Sequence, residues 1–202
     1  MDKSAFNIPF QHDDINAKIV ISLERISEVF RVLLWEYAKE IKLSPIQIQI
    51  MIFVAYHKED LCTVSHLAKE FNLTKPTISD AVKVLEQKKM ISKNKTSTDS
   101  RSYYISLTAD GKKSVSKTEH FASPIRKKID SFNQEEQESL LKTLSSLIYK
   151  LNRSGILSVQ RTCYACKFYE KKTENNDFCN LIKTKLNTKD IRLDCPEFEE
   201  KV

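Results

Sequence analysis

Two short amphipathic helices separated by a turn of two residues are the feature that most constrains this chain. Apolar residues recur at helical spacing over residues 64–71 and again over residues 78–85. Thr74 is suited to cap the second helix, and Pro76 lies in its first turn, where its missing N–H would have had no partner. Because residues 72–73 leave room only for a turn, the two helices are expected to pack directly against each other.

A polar hairpin follows the helix pair. Ile91, Tyr103, Ile105 and Leu107 have strand character, and the last three stand at every second position. Residues 93–102, which lie between Ile91 and this run, are polar throughout. Residues 88–95 contain four lysines and no acid. Such a cationic hairpin gains affinity for DNA by displacing counterions from phosphates. The order of helix, turn, helix and basic hairpin predicts a winged helix-turn-helix.

The second helix carries hydroxyl groups and cations opposite its apolar face. Side chains of these types bind phosphate oxygens and base edges in the major groove. We therefore expect DNA contacts from residues of the helix and the hairpin, namely Lys75, Thr77, Ser79, Lys83, Lys93 and Lys95. The alternative is an ordinary solvated surface, because short helix pairs also occur in proteins that never bind DNA.

The run DSRSYYISLTADG resembles the wing signature of the MarR family of bacterial regulators. Its matching residues are Asp99, Arg101, Leu107, Thr108 and Gly111. The resemblance covers roughly residues 13–153. It implies that Asp99 braces the hairpin and that Arg101 enters the minor groove, which agrees with the attraction of arginine to narrow grooves.

Lys89 departs from the family pattern, in which a glycine usually ends the recognition helix. That glycine normally supplies a left-handed helix cap. A lysine must either adopt a positive φ, at a cost of about 1 kcal/mol or more, or end the helix differently. We therefore expect the angle between helix and wing to be the part of the family geometry that transfers least.

Long helices are predicted on both sides of this segment. Apolar residues keep the helical period over residues 15–41, and leucines continue at heptad spacing over residues 140–151. Between them, residues 46–56 predict a buried helix, and Thr108 begins another that reaches about Ser131.

The two long helices have apolar faces larger than one small domain can cover, which predicts a homodimer. The resemblance implies that the first and last helices form it and present two recognition helices to a palindromic operator. In the alternative, a monomer, the terminal helices would pack on each other.

Four of the five cysteines lie in the last part of the chain, at the spacing C-x2-C-x12-C-x15-C. They are Cys163, Cys166, Cys179 and Cys195. Cysteines gathered beside a cysteine-poor domain indicate a metal site, and the first pair can reach one ion from a single turn. Zinc is preferred as the commoner structural ion, with an iron–sulfur cluster as the alternative. Four reduced thiols in a small helical appendage, or a disulfide switch between the first two, remain open.

The fold class that follows is mainly α with a small β-wing, a winged helix-turn-helix that dimerises through its N- and C-terminal helices. We expect an N-terminal arm over residues 1–12, the MarR-type domain over 13–155 and a metal-binding tail over 156–202. No apolar run approaches the roughly 18 residues of a membrane span. The N-terminus lacks an export signal, so a cytoplasmic location is expected.

No nucleophile–base pair and no glycine-rich phosphate loop is evident, and the chain has only two glycines, so we do not expect an enzyme. The predicted function is a transcriptional regulator that binds double-stranded DNA, with a tail that senses metal or redox state. A small-molecule or redox effector is left open. The alternative is a winged-helix protein-interaction module with a zinc-stapled tail. An electron-transfer protein with an iron–sulfur cluster is a third reading.

Overall fold

A computed structural model describes residues 4–95, 103–171 and 177–201 of the chain. The helices are α1 (Ile8–Asp13), α2 (Ile15–Ile41), α3 (Pro45–Tyr56), α4 (Val64–Glu70), α5 (Lys75–Gln87), α6 (Ala109–Thr118), α7 (Ser123–Ile129) and α8 (Gln134–Arg153). The strands are β1 (Ile91–Lys95), β2 (Tyr103–Leu107), β3 (Tyr169–Lys171), β4 (Asp177–Cys179) and β5 (Thr184–Leu186). The prediction of a mainly helical fold with a small β-wing is confirmed.

The core of the winged helix is built around α3, which is apolar on all sides and begins with a capping box between Ser44 and Gln47. Fully buried side chains of α3, α4 and α5 meet there. They include Ile48, Ile50, Met51, Leu67, Ile78 and Leu85. The apolar faces that the sequence assigns to α4 and α5 therefore point into one core, which fixes the position of α5.

β1 and β2 form an antiparallel hairpin in which Ile91 pairs with Leu107 and Lys95 pairs with Tyr103. The backbone N–H of Ile105 on β2 also donates to the carbonyl oxygen of Cys62, at 2.8 Å. This bond ties the hairpin to the segment that precedes α4, so the wing is anchored to the helix pair at its base.

Two expectations about helix bounds are corrected. The second part of the expected N-terminal arm is helical, since residues 8–13 form α1. The helix expected to run from Thr108 to about Ser131 is divided into α6 and α7. Pro124 lies in the first turn of α7, where it cannot continue a preceding helix, and the ring of Phe121 in the break packs edge-on against Phe30.

The terminal helices bury little of their apolar surface within the chain. Only Ala17, Leu34 and Ala38 of α2 are buried, and Ser145 is the one buried residue of α8. Large apolar side chains of α2 stay exposed, namely Ile15, Ile19, Val20, Ile26, Val29, Phe30, Val32 and Trp35. Among the described residues, no helix is long and apolar enough to cross a membrane.

The tail is a small β lobe. Its strands pair antiparallel in the order β3-β4-β5, and Cys163 lies in a single 3-10 turn that precedes them. The alternative prediction of a helical appendage is therefore wrong for the described residues of the tail. Strands of three residues each bury very little, so the lobe depends on its side-chain contacts with the rest of the chain.

Candidate nucleic-acid interface and cysteine site

The exposed face of α5 carries the four residues that the sequence assigns to DNA contacts. Lys75, Ser79 and Lys83 follow one another at intervals of four residues, so they form one row along the helix. Thr77 is exposed as well but lies off this row. Its hydroxyl is 2.8 Å from that of Thr74, which caps the helix by accepting the N–H of Thr77. The row of three is therefore the part of α5 best placed to enter a groove.

The two lysines assigned to the wing differ in their surroundings. The ammonium of Lys93 donates to a carboxylate oxygen of Glu86 on α5, at 2.7 Å, and lies 5.2 Å from the centre of the Tyr103 ring. The hydrogen bond from Glu86 raises the pKa of Lys93. Lys95, at the end of β1, is exposed. Lys93 thus braces the wing against α5, whereas the side chain of Lys95 remains accessible. Asp99 and Arg101 lie outside the described residues.

The junction between α5 and the wing uses the lysine that replaces the family's glycine. Lys89 adopts a φ of 57°, so it takes the left-handed conformation itself. The N–H of Met90 then donates to the carbonyl oxygen of Leu85 at 2.9 Å, as in a glycine cap. The helix therefore ends in the glycine-like way, and the lysine carries the cost of the positive φ.

Gly111 leaves no room for a side chain. A Cβ placed there would collide with the backbone carbonyl group of Met90 and would be 3.3 Å from a methyl carbon of Leu107. Thr108 caps α6 by accepting the N–H of Gly111 at 3.1 Å. The signature residues Leu107, Thr108 and Gly111 thus build the joint between α5, the wing and α6.

The tail docks on the helix pair through Arg161, whose side chain is only 10% exposed. Its guanidinium donates to Glu70 on α4 at 2.8 Å and to Asp194 of the tail at 2.6 Å. It also lies 5.6 Å from the centre of the Phe53 ring. Asp194 in turn is 2.7 Å from Nε2 of His57, whose ring stacks on Phe53. Charge-assisted hydrogen bonds of this kind are the strong ones, particularly where water has little access.

A second anchor joins the segment after α8 to the turn between α4 and α5. Asn72 in that turn has a φ of 49°. Its side-chain oxygen accepts hydrogen bonds from the backbone N–H and the hydroxyl of Ser158, at 3.2 and 2.6 Å. The tail therefore touches the helix-turn-helix at its turn as well as at the end of α4.

The four tail cysteines line one small cavity of about 30 Å³. All four are free thiols, and burial raises the pKa of Cys163. The backbone N–H of Arg192 donates to Sγ of Cys163 at 3.3 Å. Within the described ranges, no three His, Cys, Asp or Glu side chains stand in an arrangement that would hold an ion as they are. The structure thus brings the four cysteines to the lining of one cavity.

Comparison with known proteins addresses the winged-helix part. Residues 41–102 match the family model described as the MarR family. The fold is a MarR-type winged helix-turn-helix. The S. aureus MepR–DNA complex matches with a TM-score of 0.58 and 24% identity, covering 65% of this chain and 97% of that one. The transcriptional regulator PA3341 matches with a TM-score of 0.57 and 20% identity, covering 67% and 98%.

A further structure, of MepR, a transcription regulator of the Staphylococcus aureus multidrug efflux pump MepA, has a TM-score of 0.50 and 24% identity, with coverage of 64% and 95%. No curated protein sequence matches the chain. The matched structures are covered almost completely, whereas about a third of this chain lies outside each match. The MarR-type fold therefore accounts for about two thirds of the chain, and the remainder needs its own explanation.

Sequence reasoning missed the residues that dock the tail on the MarR-type domain. Arg161 and Glu70 are 91 positions apart, and His57 and Asp194 are 137 apart. No periodicity or motif spacing connects residues at such separations. The one available signal was chemical: Arg161 is a cation directly before the cysteine pair, and a charged residue that becomes nearly buried requires a partner.

Cys62 is separate from the tail cysteines. It is buried in the MarR-type core, and that burial raises the pKa of its thiol to about 11. Its Sγ lies 3.4 Å from the carbonyl oxygen of Lys58. A protonated, inaccessible thiol is a poor nucleophile, so Cys62 serves as a small apolar residue of the core.

Proposed function

We propose that this protein is a DNA-binding transcriptional regulator of MarR type, which places α5 in the major groove and the wing in the minor groove. The observation that supports this proposal most directly is the exposed row of Lys75, Ser79 and Lys83 on α5. The opposite face of the same helix is fixed in the core by Ile78 and Leu85. MarR-family proteins are DNA-binding regulators rather than enzymes, and one structure with the same fold is a complex with DNA.

A salt titration of DNA binding tests this proposal. A duplex selected by the protein from a random pool is bound at several salt concentrations. We expect Lys83→Ala to weaken binding and to reduce the slope of log affinity against log salt by about 1. Lys185→Ala removes the same charge from an exposed site on β5 and should leave both unchanged. Binding that does not respond to salt or to Lys83→Ala would favour a protein-interaction module.

Arg101 is expected, from the family signature, to reach the minor groove from the wing. Arg101→Ala should lower DNA affinity and reduce discrimination against sequences with a wide minor groove. Asp99→Ala should act in the same direction, since it is the expected brace of the same hairpin. These two variants test the placement of the wing separately from that of α5.

We further propose a homodimer formed by α2 and α8. The exposed apolar side chains of α2, together with an α8 in which only Ser145 is buried, support it. Ile26 is 49% exposed on that face. Ile26→Glu should produce monomers in sedimentation experiments, while Ser27→Glu adds the same charge one residue away and should not. Monomeric wild-type protein at micromolar concentration would contradict the dimer.

For the tail, we propose that Cys163, Cys166, Cys179 and Cys195 bind one metal site, with zinc as the preferred ion and an iron–sulfur cluster as the alternative. The shared cavity and the short strands around it support this, because a lobe this small rarely holds together without a staple. Binding would release the thiol protons, because the thiolate is the form of cysteine that ligates zinc.

Elemental analysis and visible absorbance of protein purified without oxygen test this site. Zinc gives a metal signal with no visible colour, whereas an iron–sulfur cluster absorbs visible light. Cys179→Ser should lower the metal content, and Cys62→Ala should leave it unchanged because that thiol is in the core. Metal-free protein with an intact tail would contradict the proposal and leave reduced thiols or a disulfide between Cys163 and Cys166.

A further inference from the structure

The residues that dock the tail are also the residues that hold the cysteine segments together. The N–H of Cys195 donates to the carbonyl oxygen of Arg161 at 3.0 Å, and the N–H of Cys163 donates to that of Arg192 at 3.0 Å. Arg161 and Asp194 pair as a β-bridge. Cys163 and Cys195, two of the four cysteines, therefore lie within two positions of Arg161 or Asp194, and each is tied to the other segment by a backbone hydrogen bond.

On the other side, the same contacts end on the helix-turn-helix. We call the contacts Arg161–Glu70 and Ser158–Asn72 the docking joint. Glu70 is the last residue of α4, and Asn72 lies in the turn that leads to α5. A change that fixes Arg161 and Ser158 in the tail therefore also restrains the end of α4 and the turn that leads to α5.

We propose that metal occupancy of the cysteine site controls DNA affinity through the docking joint, and that the metal-loaded form is the DNA-binding form. The inference rests on the proposed metal site and the proposed DNA binding. Drawing four sulfurs onto one ion fixes the two segments that carry Arg161 and Asp194. Loss of the ion frees them, and the turn between α4 and α5 loses the hydrogen bonds that Asn72 accepts from Ser158.

The direction follows from what the docked tail leaves uncovered. With the docking joint formed, Lys75, Ser79 and Lys83 remain exposed. Docking therefore does not block the groove face of α5. It adds contacts at the end of α4 and in the following turn to the core packing that places α5. A site that is held in place before binding loses less conformational freedom on binding. Metal loading should for this reason raise DNA affinity.

The nearby exposed ion pair between Lys58 and Glu197 gives a matched control. Its atoms are 3.1 Å apart, but the two side chains are 55% and 56% exposed, against 10% for Arg161. Exposed pairs contribute little because water and salt screen them. Lys58→Ala should therefore leave the coupling intact, although the pair also bridges the tail and the winged helix.

The test measures DNA affinity of full-length protein loaded with zinc and of the same protein stripped by a chelator. The variant Glu70→Gln/Asn72→Gly removes the docking joint from the winged-helix side and leaves the cysteine lobe untouched; glycine suits the positive φ of Asn72. Zinc should raise the affinity of wild type and of Lys58→Ala about ten-fold, a typical coupling. It should leave that of the double variant unchanged at equal zinc content.

Each other outcome overturns the inference at an identifiable step. A zinc effect that persists at full size in the folded double variant rules out the docking joint. Zinc binding without any change in wild-type DNA affinity rules out the coupling and leaves both proposed activities standing. Absence of zinc by elemental analysis removes the metal site and the inference together. Should the double variant unfold, as judged by circular dichroism, Arg161→Met provides the same comparison from the tail side.

Discussion

The hydroxyl of Thr108 donates a 2.6 Å hydrogen bond to the carbonyl oxygen of Lys89, the residue at which α5 ends in a left-handed conformation. The oxygen of the same hydroxyl accepts the N–H of Gly111 at the start of α6. One side chain thus connects the end of the candidate recognition helix to the helix that follows the wing. The stability of this junction can be tested residue by residue.

Lys89→Gly should stabilise the protein. Glycine adopts the φ of 57° without the steric cost that lysine meets, and part of that gain is offset by the greater freedom of glycine in the unfolded chain. We expect a net gain of roughly 0.5–1 kcal/mol in urea unfolding. Gln87→Gly, two residues earlier in α5, should instead lose up to about 1 kcal/mol. An equal loss at both positions would contradict the assigned conformation of Lys89.

Gly111→Ala should destabilise the same junction. The added Cβ collides with the backbone of Met90, which is held by hydrogen bonds from Thr108 and cannot move freely. Overpacking of this kind typically costs about 1–3 kcal/mol, measurable as a lower midpoint of thermal unfolding. Gly155→Ala is the comparison: its Cβ would meet nothing within 4 Å, so it should cost only the strain of its positive φ. A harmless Gly111→Ala would refute the close contact.

Lys95→Ala should reduce DNA affinity more than Lys93→Ala. Lys93 is already paired with Glu86 and held over Tyr103, so it has less charge to offer to phosphate than the exposed Lys95. The salt dependence of binding gives the readout, with a decrease in slope of about 1 for Lys95→Ala and a smaller one for Lys93→Ala. The reverse order would show that Lys93 leaves Glu86 when DNA binds.

Cys62 should make stability depend on pH in the alkaline range. Burial raises the pKa of its thiol from an ordinary 9.0 to about 11, so the folded protein keeps the proton while the unfolded chain releases it. Stability that is complete below pH 9 should fall as the pH rises towards 11. Cys62→Ala lacks this titration, so the stability difference between variant and wild type should shrink over that range. A difference independent of pH would mean that the thiol is accessible.

The elements that could be predicted are those fixed by local sequence. The periods of α4 and α5, the two-residue turn and the all-apolar α3 each depend on residues within a few turns of one another. The break between α6 and α7 could also be read locally, from Pro124, although the longer helix was expected. The exposed row on α5 follows from helix geometry once its buried face is known.

The side-chain contacts of the candidate site could be identified only from the tertiary structure. Lys93 lies in the predicted wing, but its contact with Glu86 depends on how the hairpin folds back on α5. The same holds for Arg161, which meets Glu70 only because the tail returns to the helix pair after α8. Long-range contacts of this type are set by the packing of whole elements, and many sequences with the same local pattern would place them differently.

By itself, the sequence of this protein determined a winged helix-turn-helix, an α5 with one apolar and one polar face, and a separate group of four cysteines. Helix periods, caps and turns are local, so the chain specifies them without reference to distant residues. Only the tertiary structure decided that Lys89 adopts the glycine conformation, that the cysteines surround one cavity and that Arg161 links them to α4. The last two of these features depend on side chains from distant segments coming together, and local patterns do not specify contacts of about 3 Å between such side chains.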